Sequence, residues 1–340
     1  MNSNYFKNRI KLLAIILVVG LIIAIVLIVK MASHNKGNDS NQNSQEFSLL
    51  DSVENGTETE ENTPVFSAVE TENTAAIGEE VGSPYAIIVD VEAGEIVAGR
   101  NAFERVSPAS MTKIMTVLVA AENIDESELD EKVPISFEAT DFAYVHDCSV
   151  AGFERDEQVT VRDLFYGTIL PSGAEAATEL AIKAAGSEEA FIDLMNEKLE
   201  ELGLSDTAHF TNYIGIYDEN HYCTVYDMAV ILKTAMDNEW CRDVLSKHVY
   251  TSSVTEQHPE GIVMSNLFLR RIEDRECGGE VIGAKTGFVN QSRSCSASYE
   301  VSDASGKAYV CVTVGAESPW YCIADHVAIY NAFAKYKFVG

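Results

Sequence analysis

Two short strings carry residue types that do chemistry: Ser110-Met111-Thr112-Lys113 and Lys285-Thr286-Gly287. A serine and a lysine three apart share one face of a helix. A lysine drawn out of water has a lowered pKa and accepts the serine's proton, which makes a nucleophile without histidine. A serine in a helix's first turn also sits where the dipole and free N–H groups favour developing negative charge. Lys285-Thr286-Gly287 offers a cation and a hydroxyl donor to a substrate carboxylate, with a glycine that lets an extended substrate approach a strand edge. Neither string is specific alone. Ser33-His34-Asn35-Lys36 has the same spacing as the first, and an isolated Lys-Thr-Gly fits an exposed turn equally well. The setting separates them, since Ser107-Pro108-Ala109-Ser110 runs directly into the apolar stretch 114–121.

The elements that must position these residues follow from local patterning. Residues 85–91 and 95–98, with Glu92-Ala93-Gly94 between them, predict a β-hairpin. Ser107-Pro108 predicts a helix start. Thr160 caps a helix through Gly167, and the alanine-rich 174–185 ends at Gly186. Phe191, Leu194, Met195, the stem of Lys198 and Leu202 fall on one helical face that ends at Gly203. Thr224 and Asp227 form a capping box before 228–236. Strands are expected at 281–288, 295–301 and 308–315, and a closing helix at about 320–337. A hairpin, then helices, then antiparallel strands and a helix predict an α/β domain, an antiparallel sheet flanked by helices. The N-terminal hairpin should join the C-terminal strands in one sheet.

Residues 12–29 contain no charged or strongly polar side chain, with Lys7, Arg9 and Lys11 before them and Lys30 and Lys36 after. The length approaches that of a membrane span, and the basic bias favours an internal N-terminus. Secretory apolar cores are usually shorter, which favours an uncleaved anchor over a cleaved signal. The expected organisation is a cytoplasmic tail at 1–11, a transmembrane anchor at 12–30, an acidic disordered linker at 31–81 and a folded domain at 82–340. The cell membrane is the expected location, with a single pass and the domain outside the cytoplasm. Residues 37–80 hold eleven acidic residues and no basic one, a composition that cannot bury a core.

The 340-residue chain has a net charge of −29, and its first 36 residues contain no acidic residue, so the negative surplus lies downstream. Such a surface repels phosphate and anionic headgroups, which excludes nucleic-acid binding and a second, peripheral membrane contact. Seven cysteines leave at least one unpaired within a monomer. Cys295 and Cys311 fall on neighbouring strands and are candidates either to pair or to be buried thiols. No cysteine or histidine spacing fits zinc, so no metal is expected. His146-Asp147-Cys148 places three catalytic residue types in a row, but adjacent residues rarely face one another, and the run reads as chance.

Residues 107–116, SPASMTKIMT, resemble the active-site segment of the low-molecular-weight penicillin-binding proteins, the serine-type D-alanyl-D-alanine carboxypeptidases of peptidase family S11. The stretches 159–164 (VTVRDL), 170–173 (LPSG), 221–224 (HYCT), 226–229 (YDMA) and 283–287 (GAKTG) are similar to further segments of that family, in order, across 82–340. The resemblance implies a β-lactamase/transpeptidase-like fold. It makes Ser110 the nucleophile, Lys113 its base and Ser172 a proton relay. Lys285, Thr286 and Gly287 would bind the substrate carboxylate, and the backbone N–H groups of Ser110 and Phe288 would form the oxyanion hole. It implies no metal or organic cofactor. The implied substrate is a peptidoglycan stem peptide ending in D-Ala-D-Ala, with β-lactam antibiotics as covalent inhibitors. The family's second motif reads Ser-x-Asn, whereas this chain has Ser172-Gly173-Ala174. Loss of one charge-assisted bond there is worth ~1.5–3 kcal/mol. A β-lactamase-like hydrolase and a cell-wall-binding pseudoenzyme weakened by Ala174 are the alternative readings.

Overall fold

The computed structural model describes residues 65–334. The tail and anchor expected at 1–11 and 12–30, and the linker up to residue 64, lie outside the described residues. Among those described, no helix is long and apolar enough to cross a membrane.

The body begins earlier than the composition predicts. A short strand, Ala75–Ala76 (β1), runs parallel to the second strand of the hairpin made by Tyr85–Asp90 (β2) and Glu95–Arg100 (β3). Ala68, Ile77 and Val81 are buried. The Arg100 guanidinium donates to the carbonyls of Val81 and Ser83, both at 2.8 Å, of Ile77 at 3.0 Å, and of Gly78. Residues 65–81 therefore belong to the folded domain, which does not start at 82. A few apolar anchors and one arginine hold a segment whose average composition is that of a linker.

A 3₁₀ turn at Ala109–Met111 leads into the helix Thr112–Asn123 (α1). Every α1 residue from 112 to 120 is buried, so this helix lies inside the protein and carries Lys113 with it. The strand Lys132–Pro134 (β4) and the helix Phe137–Val145 (α2) follow. The strand Gln158–Thr160 (β5) pairs with β4 and leads into Val161–Ile169 (α3), capped reciprocally by Thr160 and Asp163. Helices Ala174–Ala185 (α4) and Glu188–Glu201 (α5) come next. Val225–Asp237 (α6) is capped by the Thr224–Asp227 box, as its sequence predicts, and Glu239–Ser246 (α7) follows it. A small hairpin, Val249–Thr251 (β6) with Val263–Ser265 (β7), and the turn of helix Leu269–Ile272 (α8) precede the long strands. These are Gly279–Val289 (β8), Arg293–Ser302 (β9) and Ala308–Ala316 (β10), closed by Pro319–Phe333 (α9).

The main sheet has the order β1-β3-β2-β10-β9-β8. The hairpin joins the C-terminal strands through β2 against β10, as expected. The five long strands are antiparallel, and the parallel β1 makes the sheet mixed rather than purely antiparallel. Period-two alternation divides its residues between two cores. Ile87, Val89, Val310, Val312 and Val314 face the larger core with α1 and α6. Ala86, Ile88, Tyr309 and Cys311 face α9 with Ile323, Ile329 and Tyr330. Each fully buried Ile, Val or Leu contributes about 1.5–3 kcal/mol. Cys295 belongs to the first core and Cys311 to the second, so the sheet stands between them and they do not pair. All seven cysteines are free thiols.

Candidate active site

Ser110, Lys113, Ser172, Thr286, Gly287 and Phe288, distant in sequence, line one cleft of about 320 Å³. Ser110 sits in the 3₁₀ turn just before α1, rather than in the helix itself. Ala109, beside it, has φ 49°, and Ser172 has φ 67°. Left-handed conformations cost non-glycine residues about 1–3 kcal/mol and persist where the surroundings enforce them.

Lys113 Nζ lies 3.2 Å from Ser110 Oγ and donates to the Ile214 carbonyl at 2.7 Å. Burial lowers its pKa from 10.5 to about 8, while the Cys148 and Glu175 charges oppose the shift. At neutral pH a pKa of 8 leaves roughly a tenth of the molecules with a neutral amine, about three hundred-fold more than an ordinary lysine. The neutral amine donates to Ile214 and accepts the hydroxyl proton of Ser110.

Ile214 is itself fixed. Asn212 Oδ1 accepts from the N–H groups of Ile214, Gly215 and Ile216 at 3.2, 2.6 and 3.1 Å. Thr116 Oγ1 donates to the Tyr213 carbonyl at 2.7 Å. Gly215 has φ 88°, and a Cβ there would fall 1.9 Å from the Ala109 carbonyl oxygen. His221 accepts from the Thr211 N–H at Nδ1 and meets Thr112 Oγ1 at 2.8 Å through Nε2; Thr112 Oγ1 donates to the Ala109 carbonyl. Burial lowers the His221 pKa to about 4, so the ring is neutral and Nε2 carries the proton. Sequence reasoning missed this support. Asn212 three residues before Gly215 is its only local signal, that of an Asx-type turn.

Lys285 stands differently from its sequence-based expectation. It is 2 % exposed and is absent from the cleft wall. Its Nζ donates to Ser172 Oγ at 2.9 Å and to the Thr286 carbonyl at 2.8 Å. Burial, reinforced by the Lys113 charge, holds its pKa well below the usual lysine range. Lys285 thus meets Ser172 beneath the cleft, while Thr286 and Arg271 are among the polar residues of the cleft wall. Gly287 is needed for internal reasons. A Cβ there would meet Cys295 Sγ at 2.8 Å and the Ser110 nitrogen at 3.0 Å, so the missing side chain lets β8 close on the nucleophile's backbone.

Ala174 is fully buried in the core, and its N–H donates to the Ser149 carbonyl at 2.8 Å. Glu175 is more than the start of α4. Its Oε1 accepts from the N–H groups of Ala151, Gly152 and Phe153 at 2.6, 2.9 and 3.3 Å, and Oε2 has no hydrogen-bond partner among the described residues. Burial raises its pKa, with those N–H groups opposing. The loop it pins begins at the cleft rim, where His146, Asp147 and Cys148 lie. Cys148 Sγ meets the His146 carbonyl at 3.8 Å rather than its ring, so the run forms part of the wall and no relay. Among the described residues no cluster suits a metal ion.

A half-buried serine beside a buried lysine, at the edge of a mixed sheet flanked by helices, defines a class. Residues 69–318 match the model of the D-alanyl-D-alanine carboxypeptidases, peptidase S11, and the chain belongs to that family. D-alanyl-D-alanine carboxypeptidase DacF of Bacillus subtilis is 29 % identical over 236 residues, 68 % of this chain and 56 % of that protein. DacC of Escherichia coli is 36 % identical over 151 residues, 43 % of this chain and 38 % of its own length. The chain spans about half the length of the curated relatives it matches. The crystal structure of the Streptomyces K15 DD-transpeptidase superimposes with a TM-score of 0.67 at 27 % identity, covering 74 % of this chain and 97 % of that one.

Proposed function

We propose that this protein is a serine-type D,D-carboxypeptidase that removes the terminal D-alanine from peptidoglycan stem peptides. The observation that carries the reading is Lys113, desolvated to a pKa of about 8 and held 3.2 Å from Ser110 Oγ. Ser110 Oγ attacks the carbonyl between the two D-alanines as Lys113 takes its proton. The oxyanion faces the N–H groups of Ser110 and Phe288. The peptide C–N bond breaks, and the proton passes to the departing amine along the Lys113–Ser172 side of the cleft, with Lys285 holding Ser172. Thr286 and Arg271 bind the terminal carboxylate. A water then gives its proton to Lys113 and its oxygen to the ester carbon, which releases the shortened peptide and restores the Ser110 hydroxyl. No metal or organic cofactor enters these steps. β-Lactams acylate Ser110 by the same attack. The similar Streptomyces K15 enzyme is a DD-transpeptidase; in transpeptidation an amine takes the place of water at the second step.

The apolar run at 12–29 and the basic residues around it support single-pass anchoring in the cell membrane, with the folded domain outside the cytoplasm. Protease added to intact cells should degrade the domain; full protection would overturn this part of the reading.

The test of the activity is intact mass of the whole chain mixed with a penicillin, beside Ser110→Ala, together with D-alanine release from a peptide ending in D-Ala-D-Ala. A stable adduct on the native chain only, with D-alanine released, is expected. Rapid turnover of the drug without D-alanine release would turn the reading to a β-lactamase. Absence of both adduct and release would leave a binding protein.

A further inference from the structure

Strand register places three hydroxyl side chains in one row across the sheet. Thr286 on β8 stands opposite Ser296 on β9, and Ser296 stands opposite Thr313 on β10. Residues paired across strands project from the same face, and this face is the one that α9 covers. Ser296 and Thr313 are fully buried, while Thr286, at the end of the row, lines the cleft. The row therefore runs from the second core to the wall where the terminal carboxylate is bound in the mechanism above.

His326 of α9 lies over the buried end of this row. Its Nε2 meets Ser296 Oγ at 3.1 Å and Thr313 Oγ1 at 3.0 Å, and its Nδ1 meets Ser298 Oγ at 2.7 Å. One helical turn earlier, Cys322 Sγ meets the same two hydroxyls, Ser296 at 2.9 Å and Thr313 at 3.3 Å. Cys322 also lines the cleft, as does Pro319. The ring of Phe268 stands edge-on to the imidazole, with centroids 5.0 Å apart, in the segment that brings Leu267 and Arg271 to the cleft. Three elements of one cleft wall, the sheet, the first turn of α9 and the α8 segment, thus meet at a single ring.

No reacting atom needs these groups, and buried hydroxyls cost free energy unless they are bonded. What a fully bonded polar cluster adds over apolar packing is one fixed arrangement. Burial lowers the His326 pKa to about 3, so the ring stays neutral across the range in which Lys113 titrates.

We propose that His326 is a positioning residue that acts through Ser296: it fixes Thr286 against the first turn of α9 and so sets how tightly the cleft takes a carboxylate. The role rests on the carboxypeptidase reading above, in which Thr286 binds that group. His326 is fully buried and does not line the cleft, so it shapes binding and leaves the attack of Ser110 unchanged.

The test mixes the whole chain with a penicillin, which carries a carboxylate, and with the methyl ester of the same penicillin, which does not. Single-turnover labelling of Ser110 gives the dissociation constant and the acylation rate constant separately, and the thermal midpoint reports folding. Native protein is compared with His326→Leu, His326→Gln and Thr313→Val. In His326→Leu the dissociation constant for the acid should rise about five- to tenfold, the worth of one lost hydrogen bond. Its acylation rate constant, and both constants for the ester, should stay within about twofold of native. Glutamine places an amide near the position of Nε2, so His326→Gln should recover most of the affinity for the acid. Thr313→Val removes one partner of Nε2 and keeps the side chain's shape. It should shift the same constant in the same direction by a smaller factor, and it tests the role even if His326→Leu does not fold. Equal weakening of acid and ester would reduce the cluster to ordinary core packing and overturn the proposal. Unchanged affinity for the acid in Thr313→Val, or the same loss in His326→Gln as in His326→Leu, would also overturn it. If native protein is labelled and the variants match it, the positioning role alone fails. If native protein is not labelled, the carboxypeptidase reading fails first and this role falls with it.

Discussion

On the nucleophile's side of the cleft, Lys113 is held by a carbonyl that is held in turn by Asn212, Thr116 and the contact of Gly215 with Ala109. On the side of Ser172, the support is thinner and carries charge. A strained serine meets one desolvated lysine, Ala174 offers no side-chain bond, and Glu175 uses one oxygen on a loop and leaves the other without a hydrogen-bond partner among the described residues. The contrast bears on the missing asparagine of the second motif. An orienting bond to Lys113 need not come from that motif, because Ile214 supplies one from across the cleft.

The largest effect that would break this comparison is Lys113→Ala. Removing a positioned base should slow Ser110 acylation by roughly 10²–10⁴-fold, read as the rate of penicillin labelling. A loss under tenfold would mean that the thinner side supplies the base. The same lysine sets the pH profile. Only its neutral form accepts a proton, so acylation should rise about tenfold per pH unit on the acid side and level off above about 8. Gly215→Ala comes next, since its Cβ would collide with the Ala109 backbone in a left-handed position. It should cost about 3 kcal/mol or more in denaturant unfolding, and near-native stability would show that the nucleophile's turn gives way easily. Asn212→Ala removes the one oxygen that accepts from three N–H groups and should cost about 2 kcal/mol and slow acylation. Unchanged labelling would show that Ile214 needs no such brace. The smallest effect sharpens the other side. Glu175→Gln keeps an acceptor for the 151–153 loop and removes the charge that favours protonated Lys113. The midpoint of the pH profile should therefore move below about 8, and an upward shift would sink the link between Glu175 and Lys113.

Much of this was legible in the sequence because it is local. The capping boxes at Thr160 and Thr224 and the glycine closing α4 are short-range patterns with one physical solution each. Ser110 and Lys113 are close because a single turn separates them. What stayed hidden depends on contacts between distant parts of the chain. Lys285 reads as a ligand for substrate until Ser172, 113 residues away, is seen to take its Nζ. Glu175 reads as the first acidic residue of a helix until three N–H groups of another loop converge on it. The small hairpin β6–β7 and the two-turn helix α7 went unpredicted, the latter although Asn238 caps it by accepting from the Cys241 N–H. Residues 65–81 were hidden by averaging, since composition records many acidic residues and not the few that are buried.

The grip of Arg100 on the segment before β2 has a practical consequence for where the protein can be cut. Three of the four carbonyls that its guanidinium holds, those of Ile77, Gly78 and Val81, come before residue 82. A fragment begun at 82 would lose them together with β1, leaving a half-buried cation short of acceptors and a sheet edge uncovered. A fragment begun at 82 should therefore melt lower than one that keeps the buried Ala68 and β1, and equal thermal midpoints would show that Arg100's grip is dispensable.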